Sequence, residues 1–152
     1  WFSRKDVDVE KICDDSGSGS CVARGSSFPS QILVNEYRST TGISSHFEDF
    51  GAFGEEIITV SLLQPIYMTL EKPRTARSND CDDIVASSKI LLEPRSLFVM
   101  QGPSRTDFRH CITRHADVHL PSGEKVKRDE NYRRVSLTIR HLLDGRKQVG
   151  VG

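Results

Sequence analysis

The stretch "IITVSLLQPIYMTL", residues 57–70, decides the fold. It is rich in β-branched and aromatic side chains, which suit a pleated, half-buried surface. It breaks once, at Gln64-Pro65, where proline lacks the amide that a strand ladder needs. It therefore reads as two strands joined by a turn. The form returns in "KILLEPRSLFVMQG", residues 89–102, with Pro94 at the break. Upstream, "QILVNEY" (31–37) is another β-rich run, and downstream "RRVSLTIRHLL" (133–143) reads as a last long strand. "HLPSGEKVKRDEN" (119–131) reads as a hairpin tip with a polar return, and "EKPRTARSNDCDD" (71–83) as a polar turn or excursion. Helical character is confined to a weak hint in "KDVDVEKIC" (5–13), followed by the Ser/Gly-rich "DDSGSGSCVARGSS", which reads as a flexible loop. Many short strands with Pro/Gly turns predict an all-β core, a sandwich or a barrel.

The 152 residues suit one domain with a real core. We expect residues 1–27 to form a flexible or partial lid segment and residues 28–152 the core. The chain opens on Trp1, which suggests a fragment or processed form. It carries 21 basic and 21 acidic side chains, so it lacks the excess positive charge that usually marks nucleic-acid binders. The distribution is uneven: residues 105–152 hold 11 basic against 6 acidic groups, enough for a modest anion-attracting face. No apolar run approaches the roughly 18 residues of a membrane span. The four cysteines, Cys13, Cys21, Cys81 and Cys111, form no CxxC pair, so reduced thiols in an intracellular protein, cytoplasmic or nuclear, are expected.

The last strand alternates cleanly. Arg134, Ser136, Thr138 and Arg140 share one face; Val135, Leu137 and Ile139 share the other. A solvated edge strand would show the same pattern. The two arginines are six residues apart, about 20 Å along a strand. If both arms lean inward, the gap between them suits a small dicarboxylate, which the planar guanidinium binds through paired hydrogen bonds.

A second cluster lies in "SSHFEDFGAFGEE", residues 44–56. On an extended segment His46 and Glu48 point to the same side and Asp49 to the other. A His-x-acid pair with one distant histidine is the facial triad of non-haem iron(II) oxygenases, which leaves open positions on the metal. The candidates for the third ligand are His110, His115, His119 and His141. His110 is chosen because it follows the apolar "SLFVM" strand. His141 points away from Arg140, and His115 and His119 sit near the hairpin tip. A closed zinc site is disfavoured, because no cysteine is placed to complete a tetrahedron.

Taken in order, "NEY" (35–37), "HFE" (46–48), "SLFVMQGPSRTDFRHCI" (96–112) and "RRVSLTIR" (133–140) resemble the AlkB-like iron(II)/2-oxoglutarate dioxygenases over about residues 28–143. The resemblance implies a double-stranded β-helix, or jelly roll, with minor helical elements at the N-terminus. It implies that His46, Glu48 and His110 bind iron(II) and that Asn35 and Tyr37 hydrogen-bond 2-oxoglutarate. It implies that Arg134, Ser136 and Arg140 stand for the family's R-x-N-x-T-x-R motif. The implied reaction couples decarboxylation of 2-oxoglutarate by dioxygen to hydroxylation of a C–H bond, releasing formaldehyde where that carbon is an N-methyl group. The implied substrate is an alkylated nucleic acid or protein. The chain departs from the family at Glu48, usually Asp, at Ser136, usually Asn, and at Cys111, usually Gly. Cys111 is expected to point away from the site. Phe50 and Phe53 are candidates for stacking on the substrate, and Arg105, Arg109, Lys125, Lys127 and Arg128 for phosphate contacts. The alternative is a catalytically inactive jelly roll that serves as a binding module.

Overall fold

The computed structural model describes residues 5–7, 29–75 and 83–143. Its elements, in chain order, are β1 (Lys5–Val7), β2 (Gln31–Arg38), β3 (Ile43–His46), β4 (Phe53–Leu62), β5 (Ile66–Pro73), β6 (Ile84–Leu92), β7 (Leu97–Met100), α1 (Pro103–Thr106), β8 (Arg109–Ile112), β9 (Asp117–His119), β10 (Lys125–Lys127) and β11 (Arg133–Leu142). The strands form a five-stranded sheet, β1-β2-β11-β4-β7, a four-stranded sheet, β3-β8-β5-β6, and a β9-β10 ribbon. All pairings are antiparallel. This is the all-β jelly roll that the resemblance implied. Among the described residues no helix is long and apolar enough to cross a membrane.

The two proline breaks carry the chain from one sheet to the other. The Gln64-Pro65 turn passes from β4 in the larger sheet to β5 in the smaller, and the Pro94 turn passes back from β6 to β7. A hairpin would have kept both strands in one sheet, whereas a missing amide frees the chain to leave it. Leu63 (φ 74°) and Arg95 (φ 67°) take left-handed conformations in these turns, uncommon for residues with side chains. The two turns lock together: Ser61 N donates to Ser96 O (3.0 Å) and Arg95 N to Ser61 O (2.7 Å).

Between the sheets lies one apolar cluster. Tyr37 and Tyr132 meet Ile66, Met68 and Leu70 of β5, Leu92 of β6 and Ile112 of β8. The inward face of the larger sheet is the polar one. On β4 the buried residues are Ile57, Thr59 and Ser61, while Ile58, Val60 and Leu62 are only half-buried. On β11 they are Arg134, Ser136, Thr138 and Arg140, with Val135, Leu137 and Ile139 half-buried on the outer side. Far from being an edge, β11 lies between β2 and β4.

Strand β6 starts at Ile84 rather than Lys89, because its first half is an exposed edge paired only with β5 and needs no apolar face. β5 runs on through Glu71, Lys72 and Pro73 into what looked like a polar turn. Lys5–Val7 pairs with β2 as a strand, not a helix, and the one helical turn among the described residues is α1. The rest of the expected lid segment, the Ser/Gly loop, and Cys13, Cys21 and Cys81 lie outside the described residues.

Arg128 is also corrected. It is 3 % exposed and serves as a structural hub, not a phosphate contact. Its guanidinium donates to the carbonyls of Ser39 (3.1 Å), Thr113 (2.7 Å), His115 (3.1 Å) and Thr41, and lies over the Tyr132 ring. Arg109 is 1 % exposed, so it too offers nothing to a phosphate on the surface. Lys125 pairs with Asp117 at 2.9 Å on the exposed ribbon, and Lys127 is exposed beside it.

Candidate metal centre

Cross-strand register assembles the site. β3 pairs with β8 so that His46 faces His110, with ring centroids 4.3 Å apart. The close approach depends on Gly42, where a Cβ would run into the Ile112 carbonyl of β8. Glu48 follows in the loop after β3. One ligand atom from each of His46, Glu48 and His110 lies within 4.8 Å of the others, close enough to share one ion. Asp49, exposed at the rim of the cavity, is not part of the ligand cluster, and its carboxylate accepts from Gly51 N at 2.8 Å. His115 and His119 stay exposed on the far ribbon side, and His141 takes the outer face of β11 beside Gly54.

The electrostatics favour metal-competent groups. His46 Nδ1 lies 2.7 Å from the Ser44 carbonyl; as a donor there it leaves Nε2 with its lone pair for a ligand. Burial, and then the neighbouring His46 ring, push the His110 pKa down to about 4 against the pull of Glu48. His110 is therefore a neutral imidazole at pH 7, the form that binds metal. A histidine whose folded pKa lies below the ordinary 6.5 binds fewer protons folded than unfolded between those values. The metal-free protein should thus be most stable above pH 6.5 and lose on the order of 3 kcal/mol as pH falls towards 4. Thermal melts from pH 7.5 to 4.5 check this, and His110→Asn should flatten most of the slope.

The second half of the site runs down β11. Arg140 lies beside the ligand cluster, 6 % exposed, and donates from Nη1 to Glu48 Oε2 at 2.8 Å while stacking on Phe53 at 3.9 Å. Ser136 pairs across to Asn35 and Ser61, and Arg134 pairs across to Tyr37. Arg134 is 1 % exposed. It donates from Nη2 to Ser61 Oγ at 2.8 Å, its guanidinium lies over the Tyr37 ring, and Nε and Nη1 are buried without a hydrogen-bond partner among the described residues. Burial pushes Tyr37 up, so its hydroxyl stays protonated at neutral pH, with Arg134 and Ser136 pulling the other way. A cavity of about 340 Å³ joins the two halves, with apolar walls that include Leu33, Ile57, Met68, Phe98 and Met100.

The structure thus brings together His46, Glu48, His110, Asn35, Tyr37, Arg134, Ser136, Arg140 and Phe53 around one cavity. Phe50 packs against Phe47 and Arg105 instead of lining it. Arg105 is corrected as a substrate contact: it is 3 % exposed and its donors face the backbone of the Glu48 loop. Cys111 is buried on the other face of β8, level with Thr69, and burial pushes its thiol up, which keeps it unreactive. Ser61 was missed. Strand alternation placed it beside Thr59 and Ile57, but only the β4–β11 register brings it to Arg134.

A family model described as "2OG-Fe(II) oxygenase superfamily" matches residues 9–140. The chain belongs to that superfamily. Among curated proteins it is 30 % identical over 120 residues to "Alkylated DNA repair protein ALKBH8 homolog" of Arabidopsis thaliana, covering 74 % of this chain and 34 % of that protein. It is 34 % identical over 99 residues to "tRNA (carboxymethyluridine(34)-5-O)-methyltransferase ALKBH8" of Mus musculus, covering 65 % of this chain and 13 % of that one. "Alpha-ketoglutarate-dependent dioxygenase alkB homolog 7, mitochondrial" of Bos taurus is 29 % identical over 121 residues, covering 80 % and 49 %. The chain therefore spans half or less of the length of these relatives. The solved structure of OsALKBH1 superposes with a TM-score of 0.51 at 23 % identity, covering 87 % of this chain and 56 % of that one, which shows a shared fold.

These 2OG oxygenases use iron(II), 2-oxoglutarate and dioxygen. The donors present fit both protein-bound groups. Two imidazoles and a carboxylate without a thiolate suit iron(II) with exchangeable positions. A buried guanidinium with two unpartnered N–H groups is costly unless an anion meets it, and a carboxylate is the planar anion that matches its fork.

Proposed function

We propose that the chain is an iron(II)/2-oxoglutarate-dependent dioxygenase of AlkB type that hydroxylates an N-alkyl carbon of a nucleic acid or protein, with demethylation following. The observation that carries this reading is the pairing of His46, Glu48 and His110 within 4.8 Å of one another with a buried, underbonded Arg134 in the same cavity. In this reading His46, Glu48 and His110 hold the metal, and Arg134 takes the far carboxylate of 2-oxoglutarate, assisted by the Tyr37 hydroxyl and Asn35. Iron(II), 2-oxoglutarate and dioxygen would supply the oxidising chemistry there, one oxygen atom going to the substrate carbon and the other to succinate, with loss of carbon dioxide. The chain orients them and excludes water: Arg140 fixes the Glu48 carboxylate, and Leu33, Ile57, Met68 and Met100 keep the walls dry. Phe53 and the Arg140 side of the cavity face the incoming substrate. The names of the Arabidopsis and mouse relatives support a nucleic acid as substrate, which an intracellular setting, cytoplasmic or nuclear, would suit. Residues 28–152 would form the dioxygenase core. Aerobic incubation with iron(II) and 2-oxoglutarate, reading succinate alone and then formaldehyde with N-methylated oligonucleotides and peptides, tests it. No succinate, together with no 2-oxoglutarate binding by calorimetry, would end it.

One observation favours a second reading, an inactive binding module: a Glu48 oxygen is already engaged by Arg140. Glu48→Asp separates the two. If the longer arm is what lets one carboxylate serve Arg140 and a metal together, shortening it displaces the ligand by about 1 Å and lowers turnover on the order of 100-fold. A rise in turnover would mark a decayed site instead.

A further inference from the structure

The loop that carries Glu48 is held by one buried side chain. Arg105, on α1, is 3 % exposed. Its guanidinium donates to Glu48 O (3.2 Å, Nη1), Asp49 O (3.3 Å, Nη2), Phe53 O (3.2 Å, Nη2) and Gly54 O (3.2 Å, Nε). Those carbonyls lie on both arms of the loop, so the fork closes it from inside. The Phe50 ring at the loop tip covers the guanidinium at 4.8 Å. The loop's own turn is tight as well, with Phe53 N donating to Asp49 O at 3.1 Å. Only arginine offers enough N–H groups in a fixed plane to serve four acceptors at once.

The chain path gives this contact its meaning. α1 leads directly into β8, where His110 stands five residues after Arg105. The Arg105 backbone is anchored to the His110 side of the site, while its head group grips the loop of the acid. We infer that Arg105 is a positioning residue of the metal centre, fixing the Glu48 carboxylate relative to the His110 imidazole. In the structure that separation is 3.9 Å, from His110 Nε2 to Glu48 Oε1. Arg140 restrains the same carboxylate from its tip, and Arg105 restrains it through the backbone. The longer arm of glutamate, with one more rotatable bond than aspartate, makes such restraint matter more.

The inference rests on His46, Glu48 and His110 holding a metal, and the experiment keeps the two apart. Cobalt(II) is titrated into the metal-free protein and followed by visible absorption, for wild type, Arg105→Met, Glu48→Ala and the double variant. Arg105→Met should weaken cobalt binding about 10- to 100-fold, the usual cost of losing a group that orients a ligand. In the Glu48→Ala background, titrated into the millimolar range where the two remaining imidazoles still take cobalt, the same substitution should change affinity by less than about twofold, because its effect passes through Glu48. Equal weakening in both backgrounds, or none in either, overturns the inference. If wild type itself binds no cobalt, the metal-centre reading falls and takes the clamp with it. Should Arg105→Met not fold, Arg105→Lys carries the same cycle. It keeps the charge but offers its donors from one point, so it should bind cobalt more weakly than wild type and lose that difference without Glu48.

Discussion

Arg134→Met should raise the dissociation constant for 2-oxoglutarate by about 30-fold or more, because losing one partner of a buried, hydrogen-bonded ion pair costs about 2–5 kcal/mol. The expectation comes from the position of the guanidinium. It is 1 % exposed, held at one corner by Ser61 and backed by the Tyr37 ring, with Nε and Nη1 buried and unpartnered. A charge in such a place destabilises the protein until an anion meets it. The same substitution should therefore leave the melting temperature of the ligand-free protein unchanged or raise it, since methionine fills much of the arginine stem's volume without the buried charge. Calorimetric titration and thermal melts on one preparation check both signs. Unaltered 2-oxoglutarate binding in the variant would remove Arg134 from the co-substrate site.

His110→Ala should have the largest effect on the metal itself. An outer group that only orients a ligand is worth about 10- to 100-fold in affinity, and removing a ligand should exceed that. His110 is 7 % exposed, and its cross-strand neighbour His46 is its ring partner. Its removal leaves one imidazole and one carboxylate, and that carboxylate is already shared with Arg140. Cobalt or iron binding should be lost in the micromolar range, and 2-oxoglutarate turnover with it. His115→Ala and His119→Ala, on exposed positions away from the cluster, should change neither. If one of them abolishes metal binding and His110→Ala does not, the ligand set has been chosen wrongly.

How legible this was differs from residue to residue. The β-class followed from β-branched runs punctuated by Pro65 and Pro94, since a missing amide is a local property that no tertiary context removes. The period of two in residues 133–140 placed Arg134, Ser136, Thr138 and Arg140 on a common face, because alternation is intrinsic to an extended backbone. It could not say which face was inside. The structure buries the polar one, contrary to the usual arrangement, because the interior holds a charged site and not only a core. Arg105, Arg109 and Arg128 show the opposite failure. As letters in a basic C-terminal third they looked like surface charge, yet each is buried, two of them spent on backbone carbonyls. The first half of strand β6 gives no strand signal in the sequence, because an exposed edge carries no apolar signature.

By itself, the sequence determined that strands form and where they break, which side chains share a face, and which residue types are available to bind a metal and a diacid. These depend on backbone geometry and chemistry within a few neighbouring residues. Tertiary structure alone decided that His46 meets His110, that Ser61 supports Arg134, that Arg140 reaches Glu48 and that Arg105 turns inward to hold the Glu48 loop. Each is a contact between residues far apart in the chain. Such contacts are set by strand register and sheet order, which come from packing the whole interior at once and leave no mark on a short stretch of sequence.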